Sequence, residues 1–189
     1  MKNIVLFGPP GAGKGTQAVM LAKQLELIHI STGDIFRKEM STESDLGRKA
    51  RSFIEQGKLV PDDVTIDMLE THMRALNNGK GFVFDGFPRT ISQAVALDRL
   101  LDKFNTRVTQ VISLEVPDEE LVSRLQNRAQ VSGRIDDMDI NIIRNRLNVY
   151  KKETLPLKNY YEKKGILFEV PGVGKIEQIF SDICRLFSF

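Results

Sequence analysis

Phe7-Gly8-Pro9-Pro10-Gly11-Ala12-Gly13-Lys14-Gly15-Thr16-Gln17 packs four glycines and two prolines into eight residues directly behind an apolar run. Upstream, Ile4-Val5-Leu6-Phe7 has the unbroken hydrophobicity of a short buried strand. Downstream, Thr16 to Leu25 is rich in helix formers, with Val19, Leu21, Ala22 and Leu25 as its expected packing side. Strand, glycine loop and helix are the setting in which Gly8-x-x-x-x-Gly13-Lys14 reads as a phosphate-binding loop. Glycines let the chain turn and bring successive backbone N–H groups onto one anion. The helix N-terminus adds partial positive charge and Lys14 a full one. A mere tight turn with a solvated lysine is the competing reading. After the lysine stands Gly15, where a Ser or Thr would ordinarily help hold magnesium, and Thr16 follows. The metal is therefore expected to be held mainly by phosphate oxygens and water, which suits an ion that dehydrates reluctantly.

The chain has 189 residues, enough for one domain with a full core. Lys plus Arg number 27 against 25 for Asp plus Glu, a formal charge of +2, and this balance excludes general nucleic-acid binding by a concentrated basic surface. Cys184 is the single cysteine, so no internal disulfide forms and a reducing compartment is expected. Its neighbours Ile176, Phe180, Ile183 and Phe187 make it a small core residue. No apolar stretch approaches a membrane span, and the glycine loop comes too early to leave room for a signal peptide. These features predict a cytoplasmic protein without a membrane partner.

Further short apolar runs fall at Leu27–Ile30, Phe82–Phe84, Gln110–Val116 and Ile166–Val170, with helical stretches near 44–56, 62–76, 91–103, 118–129, 140–154 and 175–187. Such alternation predicts an α/β fold, a parallel sheet with helices on both faces. Ligands of such folds sit at the carboxyl ends of the strands. Two polar segments follow strands there: Ser31-Thr32-Gly33-Asp34 and Asp85-Gly86-Phe87-Pro88-Arg89-Thr90. Asp85, directly behind its strand, is placed to orient magnesium through the water shell; a turn aspartate is the plainer reading.

Arginines are the second informative feature. Arg37, Arg89, Arg128, Arg134 and Arg146 fall in loops or on helix faces that could line the same rim. At about 100° per residue, Ile142, Ile143, Leu147 and Tyr150 form an apolar arc that contains Arg146, while Arg144 lies opposite and is expected to be solvated. An arginine inside an apolar arc needs an anion, either a phosphate held bidentately or a structural carboxylate. Arg124 has two open readings, stacking on a base or lying over Leu121. Gln93 closes a Thr90-x-x-Gln93 capping box and could serve its own helix alone. Asp136 and Asp137 precede a helix and favour its positive end. His29 and His72 have no ligand partners in the sequence, so no structural zinc is expected.

Taken together, the motifs resemble the adenylate kinases among the nucleoside monophosphate kinases. Gly8 to Thr16 is similar to that family's phosphate loop, including the glycine after the lysine, and Ser31–Asp34, Lys58-Leu59-Val60-Pro61, Asp85–Arg89 and Gly133-Arg134-Ile135-Asp136-Asp137 follow in family order. The resemblance covers essentially the whole chain and implies a three-layer P-loop NTPase fold with a five-stranded parallel sheet. It implies reversible phosphoryl transfer from MgATP to AMP, giving two ADP and serving adenine nucleotide homeostasis, by a monomeric transferase. By position, Gly11, Ala12, Gly13, Lys14, Gly15 and Thr16 correspond to the ATP phosphate cradle, with Arg128 and Gly174 as further ATP contacts. Thr32, Arg37, Lys58, Leu59, Val60, Gly86, Phe87, Pro88, Arg89 and Gln93 correspond to the AMP site, and Arg134 and Arg146 to arginines converging on the phosphates. Residues 31–60 would form a mobile monophosphate-binding segment and 127–137 a short lid, without the cysteine cluster of the long zinc-bearing form.

The chemistry implied needs no proton-transfer pair, because a phosphate oxygen of AMP is already an anionic nucleophile; alignment, charge neutralisation and exclusion of water suffice. Three readings compete. A UMP or CMP kinase is similar in architecture but usually has alanine where Thr32 stands. A GTPase switch lacks support, since no Asn-Lys-x-Asp motif occurs. A binding module without catalysis would leave the arginines and Asp85 without a task.

Overall fold

The computed structural model describes residues 1–76 and 80–187. Five strands, β1 (Lys2–Phe7), β2 (Ile28–Ser31), β3 (Gly81–Asp85), β4 (Gln110–Glu115) and β5 (Leu167–Pro171), pair in parallel in the order β2-β3-β1-β4-β5. β1 is central, with Ile4 opposite Val83 on one side and Gln110 on the other. Residues alternate across such a sheet, so β1 sends Ile4 and Leu6 into one core and Val5 and Phe7 into the other. The first core is closed by α1 (Lys14–Leu25), α6 (Asp118–Ser132), α7 (Ile140–Val149) and α9 (Ile176–Cys184), and the second by α4 (Asp62–Leu76), α5 (Ile91–Asp102) and α8 (Leu157–Glu162). The result is the three-layer α/β sandwich that the sequence implies. A third, smaller core joins Phe36 of α2 (Thr32–Ser41), Ala50 of α3 (Asp45–Ile54), Val60 and Met68, which builds the segment after β2 as its own packed unit.

Several local readings are corrected. The sequence reading places no helix between residues 31 and 43, yet Ser31 accepts the Asp34 N–H at 3.3 Å as an N-cap and α2 starts at Thr32. Val19 is 56% exposed; Ala18, Leu21 and Ala22 are the buried face of α1, because spacings of three and four share one side of a helix. α6 continues to Ser132, three residues beyond 129, and stops at Gly133 in the left-handed conformation (φ 61°). Most of the 127–137 segment is thus a helix end followed by a 3-10 turn over Ile135–Asp137. The helix read over 140–154 is α7 followed by a π-helical stretch, Tyr150–Thr154. Cys184 is half-buried at the edge of its core, and burial raises its thiol pKa. Among the described residues no helix is long and apolar enough to cross a membrane.

Candidate active site

Three strands deliver the site. β1 ends in the glycine loop, β2 in α2, and β3 in Asp85 and the segment through Thr90, so all three open at the carboxyl edge. Lys14 folds back over its own loop, its Nζ donating to the carbonyls of Gly8 and Pro9, each at 2.8 Å. Burial, aided by the charges of Arg89, Arg146 and Arg128, lowers its pKa to about 7 against the opposing pull of Asp85. Gly15 matters for its lack of a side chain: a Cβ there would lie 3.3 Å from Asp85 Oδ2. The carboxylate and the glycine thus share a cradle that a Ser or Thr at this position would fill. A carboxylate beside a phosphate loop is the donor set that a hydrated divalent ion bound to phosphate needs, so the residues present fit magnesium. The exposed Thr16 lies in the first turn of α1.

One cleft is lined by Lys14 of the loop, by Thr32 and Arg37 of α2, by Lys58, Leu59 and Val60, and by Gly86, Pro88, Arg89 and Gln93. Thr32 is buried and donates its hydroxyl to the Gly86 carbonyl at 2.9 Å. Arg89 Nε donates to the same carbonyl at 2.7 Å. Gly86 has φ 77°, and a Cβ on it would press at 3.0 Å on both Arg89 Nη2 and Thr32 Oγ1, so glycine is required on both counts. Burial and the charge of Arg146 bring the Arg89 pKa down to about 10, with Asp85 opposing, and the guanidinium stays charged. The Phe87 ring lies in the core while its neighbours line the cleft, and the Phe87–Pro88 peptide is cis. Lys58 Nζ donates to Gln56 Oε1 at 2.7 Å.

Gln93 is 2% exposed and its amide makes one bond at each end. Oε1 accepts the Arg89 N–H at 2.7 Å and Nε2 donates to Asp62 Oδ1 at 2.7 Å. Thr90 does cap α5 by accepting the Gln93 N–H, but the return bond of Gln93 goes one residue further back than a capping box would place it. Gln93 is therefore both a helix-terminal brace and part of the cleft wall.

The remaining arginines are organised by a pair that the sequence suggests only as helix-end charges. Asp137, whose side chain is wholly buried, accepts Arg128 Nε at 2.6 Å and Nη2 at 3.0 Å and also bonds Arg146 Nη1. Asp136 Oδ2 meets Arg146 Nη1 at 2.9 Å. Burial alone would raise the Asp137 pKa, but the bonds and charges of Arg128 and Arg146 outweigh it and lower it. So the anion inside the apolar arc is a carboxylate, and Arg146 lines the cleft while bound to it. Arg144 points outward, as its side of the helix predicts. Arg134 approaches Asp34 Oδ1 at 3.8 Å, an oxygen that Arg37 Nη2 bonds at 2.5 Å, so the segment before α7 reaches α2. Arg124 bonds Glu120 at 2.8 Å and, at 2.9 Å, the Gly172 carbonyl in the loop leading to Gly174. That loop is held near the start of α1 by Gln17 Nε2, which donates to the Ile176 carbonyl at 3.1 Å. Arg128, Arg134, Asp85 and Gly174 are not in the wall of the cleft that contains Arg146 and Arg89. No local pattern marks Asp62 or the Asp136–Asp137 pair as anchors, since their partners stand turns or whole elements away; Asp34 pairs locally with Arg37 three residues on, but its approach to Arg134 is equally distant in sequence.

A half-buried lysine under the charges of three arginines is costly unless an anion visits it, and several guanidiniums around one rim mean an anion of several charges. On a parallel sheet with a glycine loop behind β1, this defines a phosphate-loop nucleotide kinase. Sequence comparison narrows the class. The family model described as adenylate kinase matches residues 6–166. The adenylate kinase of Flavobacterium psychrophilum is 51% identical over 179 residues, spanning 95% of this chain and 94% of that protein. That of Parabacteroides distasonis is 47% identical over 183 residues, spanning 97% and 96%. The chain belongs to the adenylate kinase family.

Proposed function

We propose that this enzyme transfers the terminal phosphoryl group of MgATP to the phosphate of AMP, giving two ADP, and runs in both directions to balance adenine nucleotides. The observation that carries the reading is a single cleft lined both by the phosphate loop at Gly8, Pro10 and Lys14 and by Thr32, Arg37, Val60 and Gln93, with Arg89 and Arg146 in the same wall. Residues 11–16 hold the ATP phosphates, with Arg128 and Gly174 as outer ATP contacts. Thr32, Arg37, residues 58–60, Gly86 to Arg89 and Gln93 hold AMP. Lys14, Arg89, Arg134 and Arg146 neutralise charge that spreads over the transferring group, which is where preorganised cations contribute most. Magnesium bound with ATP supplies further positive charge on the phosphate oxygens, with Asp85 oriented toward its water shell. No side chain needs to take a proton, and neither histidine is among the described residues of the cleft wall.

Residues 31–60 act as the mobile acceptor segment and 127–137 as the short lid, and the approach of Arg134 to Asp34 across the two supports this. In the ligand-free enzyme Asp137 stores Arg128 and Arg146, and phosphate competes for them when both nucleotides bind. Closure would then exclude water, a rival acceptor that needs no binding site. The lone cysteine supports a cytoplasmic enzyme, which we take to act as a monomer.

The reading is tested by coupled ADP formation from ATP with AMP, GMP, CMP or UMP. AMP should exceed each of the others in kcat/KM by about a thousandfold or more, because a site built to hydrogen-bond one base leaves polar groups unpaired with another. Comparable values for AMP and UMP would point to a pyrimidine monophosphate kinase instead.

A further inference from the structure

We propose that Asp62, outside the cleft wall, decides which purine the acceptor pocket takes, by fixing the orientation of the Gln93 amide. The inference rests on the reading above that Gln93 faces the acceptor base. Asp62 opens α4 and Gln93 sits in the first turn of α5, so their contact ties two helix starts together. Both ends of the amide meet partners that cannot exchange roles. A carboxylate only accepts, and Asp62 Oδ1 receives Nε2 at 2.7 Å; a backbone N–H only donates, and that of Arg89 reaches Oε1 at 2.7 Å. The carboxylate is itself pinned, because Oδ2 accepts the Thr90 hydroxyl at 2.7 Å and the Ser92 hydroxyl as well.

After these two bonds Gln93 retains one N–H and one carbonyl lone pair, in an order it cannot reverse. Adenine offers an exocyclic N–H beside a ring-nitrogen acceptor, which pairs with a carbonyl and an N–H in one order. Hypoxanthine offers a carbonyl beside a ring N–H, which pairs with the same two groups only in the opposite order. Turning the amide over would set its carbonyl against the Asp62 carboxylate and its NH₂ against the Arg89 N–H. The Asp62 contact is the charged one and resists the turn more strongly. A 6-oxopurine monophosphate is therefore rejected through a residue that need not touch it. Asp62 is a positioning residue for base selection.

The test is kcat/KM for AMP and for IMP in the parent, Asp62→Asn and Gln93→Ala enzymes. The ratio of the two constants does not depend on how much of a preparation is active. Asparagine can present either a carbonyl or an NH₂ to Gln93, so Asp62→Asn should narrow the AMP-to-IMP ratio by about tenfold or more. The change should appear in the acceptor's KM rather than in kcat, because the base lies away from the reacting atoms. Should Asp62→Asn yield no soluble enzyme, Asp62→Ser also removes the one-way acceptor and should narrow the ratio likewise. If the ratio stays parental in the Asp62 variant but changes in Gln93→Ala, Gln93 reads the base without help and the role of Asp62 is overturned. If it stays parental in Gln93→Ala as well, Gln93 does not read the base, and the inference falls with that reading.

Discussion

Asp137→Asn should loosen the whole arginine cluster. The Asp137 side chain is fully buried and holds Arg128 by two bonds and Arg146 by another. Asparagine would keep one acceptor and turn the other into a donor facing a guanidinium. Removing one member of a buried ion pair costs about 3–5 kcal/mol. Here Arg128 is 32% and Arg146 17% exposed, and Asp136 remains as a second partner for Arg146. Water and Asp136 therefore recover part of the loss, and we expect about 2–3 kcal/mol. For a chain of this size each kcal/mol moves Tm by about 2–4 °C, so the midpoint should fall by about 4–12 °C. Urea unfolding followed by far-UV circular dichroism gives the free-energy difference directly. The pH dependence adds a check. Burial opposes, but the arginines prevail, so the folded-state pKa of Asp137 lies below its unfolded value. Its stabilisation is then complete above the unfolded pKa of about 4 and disappears as pH falls through the lower folded value. The gap between parent and variant should be full at pH 7, unchanged at pH 5.5 and shrinking below about pH 4. A gap under about 1 kcal/mol at pH 7, or one that widens on acidification, would refute the picture of Asp137 as the buried anchor.

Lys14→Met should lower turnover by about two to four powers of ten with little change in unfolding midpoint, because it removes charge from the transition state; near-parental turnover in the folded variant would remove Lys14 from the mechanism. Lys14 also predicts a proton linkage. Its pKa of about 7 in the free enzyme must rise when phosphates arrive, so MgATP binding at pH 8 should take up a proton and affinity should weaken as pH climbs from 7 toward 10. Titration calorimetry in two buffers of different ionisation enthalpy reads that uptake; its absence in the parent, or its persistence in Lys14→Met, would contradict the origin assigned to it.

The central strands were legible because they are buried on both faces, which leaves runs such as Ile4–Phe7 and Phe82–Phe84 without polar interruption. The phosphate loop was legible because a backbone that wraps an anion demands glycine at fixed places. What escaped was of another kind. Ser31-Thr32-Gly33-Asp34 looks like loop sequence, yet Ser31 caps a helix that Phe36 and Met40 anchor in the third core, so packing overrides composition. α8, only six residues long and behind Pro156, carries too short a pattern to register, although Leu157 and Tyr161 are fully buried. Arg146 was legible as an arginine in need of an anion, but the carboxylates that answer it lie nine and ten residues earlier, across the turn into α7. Asp62 was illegible, since its partner Gln93 stands 31 residues away and only the fold brings α4 and α5 together.

The central claim is direct transfer between two nucleotides held in one cleft, and isotope placement tests it without reliance on any variant. ATP labelled in its terminal phosphate is mixed with AMP and enzyme in a single-turnover experiment, and the products are separated. Label should pass into ADP, at the position newly attached to the AMP phosphate, with free phosphate a small fraction of the total. Label released as inorganic phosphate, with AMP left unchanged, would show a nucleotide hydrolase and contradict the account.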